Sequence, residues 1–293
     1  MKVKDKLLNK VNRHLRFAGV PKWIHHFGPK KILTAQLVLG LAVRETYRLT
    51  YRKVSVFLDE YYAIKVHWTT LQKAANRLPL TLWQNLLRLT STDFSMLAAI
   101  DSTGFSTTNP SFHYLHRIDG KMPRVPVKLS IMIDVDSRKV LSARVRKKPV
   151  HDTRDVTSLL RQTRTRPLSI VMDKAYDSEP LHEWLDTKGV WSISPTRKGC
   201  RHGKHRKKLR DNFPEHEYAY RNIVESVFRS LKAHFSGYIR SRKARTIRAE
   251  MFMRLIMYNM ISQLNRLFLQ TRECDTFKNK DIKIRHMKYE YYD

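Results

Sequence analysis

Leu97-Ala98-Ala99-Ile100-Asp101 is the stretch that decides the fold, and Leu168-Ser169-Ile170-Val171-Met172-Asp173 repeats its form some seventy residues on. Each is a short apolar run that ends in an aspartate. Continuous apolar runs of this length suit central strands covered on both faces. In open α/β sheets, sites form beyond the carboxyl ends of such strands. If the two strands are neighbours, Asp101 and Asp173 stand side by side. Adjacent carboxylates repel, and one pKa rises unless a cation lies between them. Oxygen-rich sites of this kind suit Mg2+ or Mn2+.

The flanking sequence supplies the rest of a sheet. Val127 to Ile133 alternates, Asp134-Val135-Asp136-Ser137 reads as a turn, and Val140 to Val145 as the returning strand. Asp152 is placed to cap a helix through Val156, Leu159 and Leu160. A helix around Leu181 to Leu185 and a short strand at Val190 to Ser194 follow. The order describes a mixed sheet flanked by helices, an α/β fold. Asp134 and Asp136 read as turn residues. Asp152, Asp155 and Asp177 read as caps or first-turn acids.

Further on, Tyr218, Arg221, Glu225 and Lys232 read as residues of one helix. At about 100° per residue they fall within an arc of roughly 60°. Ile223, Val224, Val227 and Leu231 cluster on the far side. Glu225 is therefore a candidate third carboxylate. Three carboxylates with two metal ions form a common apparatus for in-line attack at a phosphodiester. Arg221 and Lys232 suit phosphate, the first bidentately and the second as a point charge.

Residues 1 to about 90 read as helical. A short helix with Val54, Phe57 and Leu58, a break at Ala63 to His67, and a second short helix from Thr69 to Arg77 make a candidate helix-turn-helix, with Thr69 or Thr70 as the N-cap. An ordinary helical hairpin fits the same pattern. Gln72, Lys73 and Arg77 on the second helix are candidate DNA contacts. The run Arg197 to Arg210 holds Arg197, Lys198, Arg201, Lys207 and Lys208, with no acid until Asp211, and reads as a mobile, solvated, DNA-binding insert. A long amphipathic helix is expected from about Ile247 to Leu269. A charged tail covers 273–293.

Lys+Arg 57 against Asp+Glu 26 leaves a net charge of +31, and a polyanion is the natural partner. A membrane is not: the longest apolar stretch, Ile32 to Val43, spans roughly 12 residues, short of a bilayer. The basic N-terminus lacks an apolar core for a signal peptide. Cys200 and Cys274 make no disulfide framework, which points to a reducing, cytoplasmic setting. Cys200, His202 and His205 are too few and too loosely paired for structural zinc.

Asp101-Ser102-Thr103-Gly104, then Asp173-Lys174-Ala175-Tyr176-Asp177-Ser178, then Tyr218-x2-Arg221-x3-Glu225-x6-Lys232 resemble the DDE transposases of bacterial and archaeal insertion sequences. The last spacing matches the Y-R-E-K signature of that family at every position. The resemblance covers roughly residues 90 to 270, and one departure is Ala175, where the family usually has glycine. It implies a ribonuclease H-like catalytic domain at 91–272 with five strands and a basic insert at 197–210, behind a helical region at 1–90. It implies that Asp101, Asp173 and Glu225 hold two Mg2+ or Mn2+ ions, and that Tyr218, Arg221 and Lys232 contact the transposon end. The partners implied are element-end and target DNA, with a homodimer formed on the DNA, at the nucleoid of a prokaryotic cell. A structure-selective nuclease on the same fold, and a domesticated DNA-binding protein, stay open beside it.

Overall fold

The computed structural model describes residues 13–24, 30–108, 116–117, 126–148, 150–199 and 202–262. Among the described residues a helical segment at 13–17 comes first, and four longer helices follow it: α1 (Thr34–Thr46), α2 (Tyr51–Tyr62), α3 (Trp68–Arg77) and α4 (Leu80–Thr90). Strands β1 (Leu97–Phe105), β2 (Val127–Asp134) and β3 (Val140–Arg146) follow. Then come α5 (Thr153–Gln162), β4 (Ser169–Met172), a 3-10 turn (Lys174–Tyr176), α6 (Glu179–Asp186) and β5 (Trp191–Ile193). The chain continues through α7 (Lys204–Asp211), α8 (Glu215–Ala219) and α9 (Asn222–Phe235), and ends its described part with a helix at 244–262, here α10. The remainder of the amphipathic stretch to Leu269 and the tail at 273–293 lie outside the described residues.

The five strands form one mixed sheet in the order β3-β2-β1-β4-β5. The first three pair antiparallel, while β1, β4 and β5 run parallel. This is the ribonuclease H-like sheet with flanking helices that the resemblance implied. Both apolar runs are interior: β1 lies between β2 and β4, and β4 between β1 and β5. Each face has its own core. Ala98, Ile100, Met132, Ile170 and Met172 pack against Val156, Leu159, Leu160, Leu181 and Leu185 of α5 and α6. Ala99, Phe105, Ile131, Ile133, Val171 and Ile193 pack on the other side. There they share one core with Leu39, Val54, Leu71 and Trp83 of the leading helices, and with α9 and α10. At the edge of the sheet, the Asn259 amide stands in for a strand: its Oδ1 accepts from Val140 N at 2.8 Å and its Nδ2 donates to Val140 O at 2.9 Å.

The break between α2 and α3 falls at 63–67. Ala63 ends α2 in the left-handed region (φ 53°). The cap of α3 is His67, not Thr69 or Thr70, because its Nδ1 accepts from Thr69 N. Neither threonine caps because the helix begins at Trp68, a residue earlier than the apolar pattern suggests. Gln72, Lys73 and Arg77 are exposed on α3.

Candidate active site

Strand parity builds the site. Side chains alternate faces along a strand, so Asp101 shares its face with Ala99, Thr103 and Phe105. The parallel register pairs Ala99 with Val171 and Ile100 with Met172. Asp173, two residues beyond Val171 and just past the end of β4, thus falls on the same face beside Asp101. Asp101 does not end its strand, as the apolar run suggested: it lies mid-way along β1, opposite Ile131, because Ser102 to Phe105 continue the ladder with β2. Each carboxylate accepts from the next backbone amide: Asp101 Oδ1 from Ser102 N at 2.7 Å, and Asp173 Oδ1 from Lys174 N at 2.6 Å.

Helix α9 covers this face. It is not the single helix expected from Tyr218 onward. Tyr218 lies on α8, and Tyr220 and Arg221 form a turn before α9 begins at Asn222. The turn keeps right-handed helical dihedrals (Tyr220 φ −67°, ψ −10°; Arg221 φ −52°, ψ −36°), so the stripe survives the break. Val224, Val227, Phe228, Leu231 and Phe235 bury the opposite side, with Ile223 only partly covered.

Arg221 joins the acids. Its Nη2 donates to Glu225 Oε1 at 2.8 Å, and its Nη1 stands 3.7 Å from Asp101 Oδ2. The Asp101 side chain is 21% exposed and that of Glu225 52%. Burial raises the Asp101 pKa above the ordinary carboxylate range. Asp173 and Glu225 push it further up, while the Ser102 amide and Arg221 pull it down. Burial also raises the Tyr218 phenol, with Asp173 and Asp101 adding to the shift and Arg221 opposing it. The Tyr218 ring meets Phe213 edge-on at 5.2 Å. Lys232 Nζ donates to Thr103 Oγ1 at 2.8 Å and lies 5.4 Å from the Phe105 ring centroid. Thr103 was legible only through parity, being two residues after Asp101 on the same face.

Among the described residues, no three His, Cys, Asp or Glu side chains converge closely enough to enclose a metal ion. The donor set nevertheless suits a hard cation. Asp173 and Glu225 both raise the pKa of Asp101, and all three carboxylates act on one guanidinium, a positive charge where a metal would neutralise the same oxygens. His202 and His205 belong to no metal-holding cluster among the described residues, while Cys200 and Arg201 lie outside them.

The basic insert differs from expectation. Among the described residues its second half folds as α7, and hydrogen bonds tie it to acids elsewhere in the chain. Glu179 accepts from His205 N at 2.9 Å and Arg206 N at 3.1 Å. Asp177 accepts from Arg206 Nε at 2.8 Å and from Arg197 N at 2.8 Å. The Arg197 guanidinium also donates to Ala175 O at 2.9 Å. Gly203 adopts φ 118°, and a Cβ there would collide with the Glu179 carboxylate. The run folds because acids distant in sequence satisfy it. Lys198, Lys207 and Lys208 remain exposed. Three other acids are likewise more than caps. Asp152 makes no cap bond, and meets Lys128 at 2.5 Å and Ser102 Oγ at 2.8 Å. Asp155 is buried against Arg146 at 2.6 Å and Ser130 at 2.8 Å. Asp177 is buried as well.

No helix among the described residues is long and apolar enough to cross a membrane. Among solved structures, the chain is similar to a piggyBac transposase in a synaptic complex with hairpin DNA (12% identity, 86% of this chain and 73% of that one, TM-score 0.43). It is similar to a Mos1 transposase in a pre-cleavage transpososome (12% identity, 81% and 80%, TM-score 0.25). It is also similar to the catalytic core domain of BIV integrase (15% identity, 55% and 80%, TM-score 0.31). Residues 93–260, more than half of the chain, match the family model described as the transposase DDE domain. With Asp101 of β1 and Asp173 just past β4 set side by side and the glutamate helix laid over them, the chain belongs to the transposase DDE domain family, a family of DNA transposition enzymes.

Proposed function

We propose that this protein cuts DNA at the ends of an insertion sequence and joins the freed 3′-hydroxyls to target DNA at one site, holding divalent metal ions with Asp101, Asp173 and Glu225. The observation that carries this reading is the convergence on Arg221: the guanidinium reaches Asp101 and Glu225, and Asp173 acts on the same groups. Mg2+ or Mn2+ bound there would supply charge neutralisation at the phosphodiester and a more acidic water. Arg221, displaced from its carboxylates, would be free to fork onto a phosphate. Lys232 would hold a second phosphate beside Thr103. Tyr218, a phenol and so a hydrogen-bond donor, would orient the end. Gln72, Lys73 and Arg77 on α3, with Arg197, Lys198, Lys207 and Lys208 and the undescribed Arg201, would add DNA affinity. Cutting two ends together calls for a dimer on DNA. Residues 1–90 would serve as the binding region and 91–272 as the catalytic one.

A strand-transfer assay with 3′-hydroxyl donor ends and Mg2+ tests this. Asp101→Asn and Glu225→Gln should each lower cleavage and joining by more than about a hundredfold, since ligand loss exceeds the effect of removing a ligand's supporting partner. Binding to the same duplex should persist. Cleavage without any joining by the wild type would instead identify a nuclease. Unchanged activity in both variants would remove the carboxylates from the chemistry.

A further inference from the structure

A second cleft lies between α1, α3 and the segment 240–246 that follows α9, and encloses about 470 Å3. Five of its walls are cations: Arg44, Lys73, Arg240, Arg242 and Lys243, with the Gln72 amide among them. Among the described residues, no Asp or Glu lines it. Lys73, Arg242 and Lys243 are exposed. Walls of a single sign repel one another and focus an attractive potential for anions.

Arg44 adds an independent sign. It is 5% exposed, and its Nε has no hydrogen-bond partner among the described residues. Its Nη1 is engaged by Glu45 and stands 3.6 Å from Glu250, and its guanidinium lies 4.4 Å from the Tyr51 ring centroid. A buried charged donor without an acceptor is strongly unfavourable. Behind the wall, among the described residues, Arg44, Arg240 and Arg254 share two carboxylates, Glu45 and Glu250, one too few. Two of those three arginines line the cleft. Burial, and then the neighbouring Arg44, hold the Arg240 guanidinium below the usual arginine range.

We propose that this cleft is a phosphate site that takes one backbone phosphodiester of bound DNA, gripped between α3 and the 240–243 segment. Arginine forks match a phosphate bidentately, and Lys73 and Lys243 add point charges. The site also ties DNA binding to the carboxylate helix. The 240–243 segment follows Tyr238, which bridges Ser106 at the end of β1. Arg240 Nη1 donates to Arg48 O at 2.9 Å and Leu49 O at 2.6 Å. Arg48 in turn donates to the His234 carbonyl in the last turn of α9, at 3.0 and 2.8 Å. The source of the phosphate rests on the transposition reading above. The cleft chemistry would also accept free inorganic phosphate.

The test compares the full chain with Arg242→Ala/Lys243→Ala, two exposed positions outside the carboxylate cluster and outside α3. Binding to a random-sequence duplex is followed by fluorescence anisotropy across a KCl series. The slope of log Kobs against log[KCl] should become shallower by about 0.9 for each phosphate that the variant no longer neutralises. Thermal unfolding in potassium phosphate and in KCl of equal ionic strength, without DNA, is the second arm. A shallower slope supports the proposal. An unchanged slope with intact binding overturns it and leaves the transposition reading standing. An unchanged slope together with phosphate stabilisation of the wild type alone also overturns it, in favour of a free-anion site. A wild type that binds no duplex overturns both. Should the double variant fail to fold, Arg242→Gln goes through the same titration, with the slope change of a single phosphate expected.

Discussion

Arg221 is the residue on which the site turns. On an isolated helix, an Arg followed by a Glu four residues later is an ordinary surface pair of small value. Here the same guanidinium also faces Asp101, and the three acids crowd one another. Planar geometry matters, because a rigid fork presents two donors in one fixed plane, whereas the three donors of an ammonium have no preset plane. With saturating metal, Arg221→Ala should lower the strand-transfer rate by about ten- to a hundredfold, as expected for removing a charge-assisted hydrogen bond of about 1.5–3 kcal/mol. Arg221→Lys should restore less than half of that effect on a logarithmic scale. Full rescue by lysine, read in single-turnover kinetics, would show that charge alone suffices. Thr103 is the quieter residue: it holds Lys232 at 2.8 Å and so sets where that cation waits.

At the scale of elements, α7 shows how a charge run can acquire structure. Read alone, the segment from Arg197 to Arg210 has nothing to fold against. The chain after Asp173 supplies the partners, Asp177 before α6 and Glu179 as its first residue, and His182 completes the cluster with Nδ1 2.6 Å from Ser192 Oγ and Nε2 3.5 Å from Asp177 Oδ1. Burial opposes the charge on Asp177, but the Arg197 amide and Arg206 outweigh it and lower its pKa. Burial lowers the His182 pKa from the ordinary 6.5, more than Asp177 raises it. The sign follows: the folded state binds the histidine proton less tightly than the unfolded one. Its contribution is therefore present above pH 6.5 and lost as pH falls below that value. That of Asp177 is present above 3.8 and lost only in stronger acid. Hydrogen exchange of the 204–211 amides should accelerate as pH falls from 7 to 5.5, after correction for intrinsic rates, and His182→Gln should flatten the profile. Arg206→Ala should open the same amides at neutral pH by about 3–5 kcal/mol, since Asp177 is left buried without its cation. Equal protection in that variant would mean that Glu179 alone pins the helix.

At the scale of the whole molecule, the leading helices, the sheet face under α9 and helix α10 share one apolar core. A buried ionic group sits at their junction. Arg254, 2% exposed, donates to Glu45 at 3.1 Å, Glu250 at 2.5 Å, and the Ser236 and Tyr238 carbonyls at 3.0 and 2.9 Å. Burial works against the Glu250 carboxylate, but Arg254 and Arg44 hold its pKa below the ordinary range. Arg254→Ala should cost about 3–5 kcal/mol in denaturant unfolding at pH 7, because two acids lose their hub. A destabilisation below about 1 kcal/mol would show that Arg44 and Arg240 suffice.

Local pattern alone gives the two apolar runs with their aspartates (though not that β1 runs on past Asp101), the alternation of β2, the polar stripe from Tyr218 to Lys232 and the charge that calls for a polyanion. All of these are periodic or local: side chains alternate along a strand and recur along a helix whatever lies across from them. Only the tertiary structure decided the rest. Asp177 and Asp155 read as caps or first-turn acids; Asp155 does stand in the first turn of α5, and both are in addition buried partners of arginines, because a carboxylate's role depends on which cation the fold brings to it. The basic run becomes a helix on Glu179, the helix carrying the stripe is interrupted at Tyr220, and Arg44 and Arg242 meet Lys73 across one cleft. Those pairings join residues up to about two hundred positions apart. Their energies arise from burial and proximity, which no local pattern encodes.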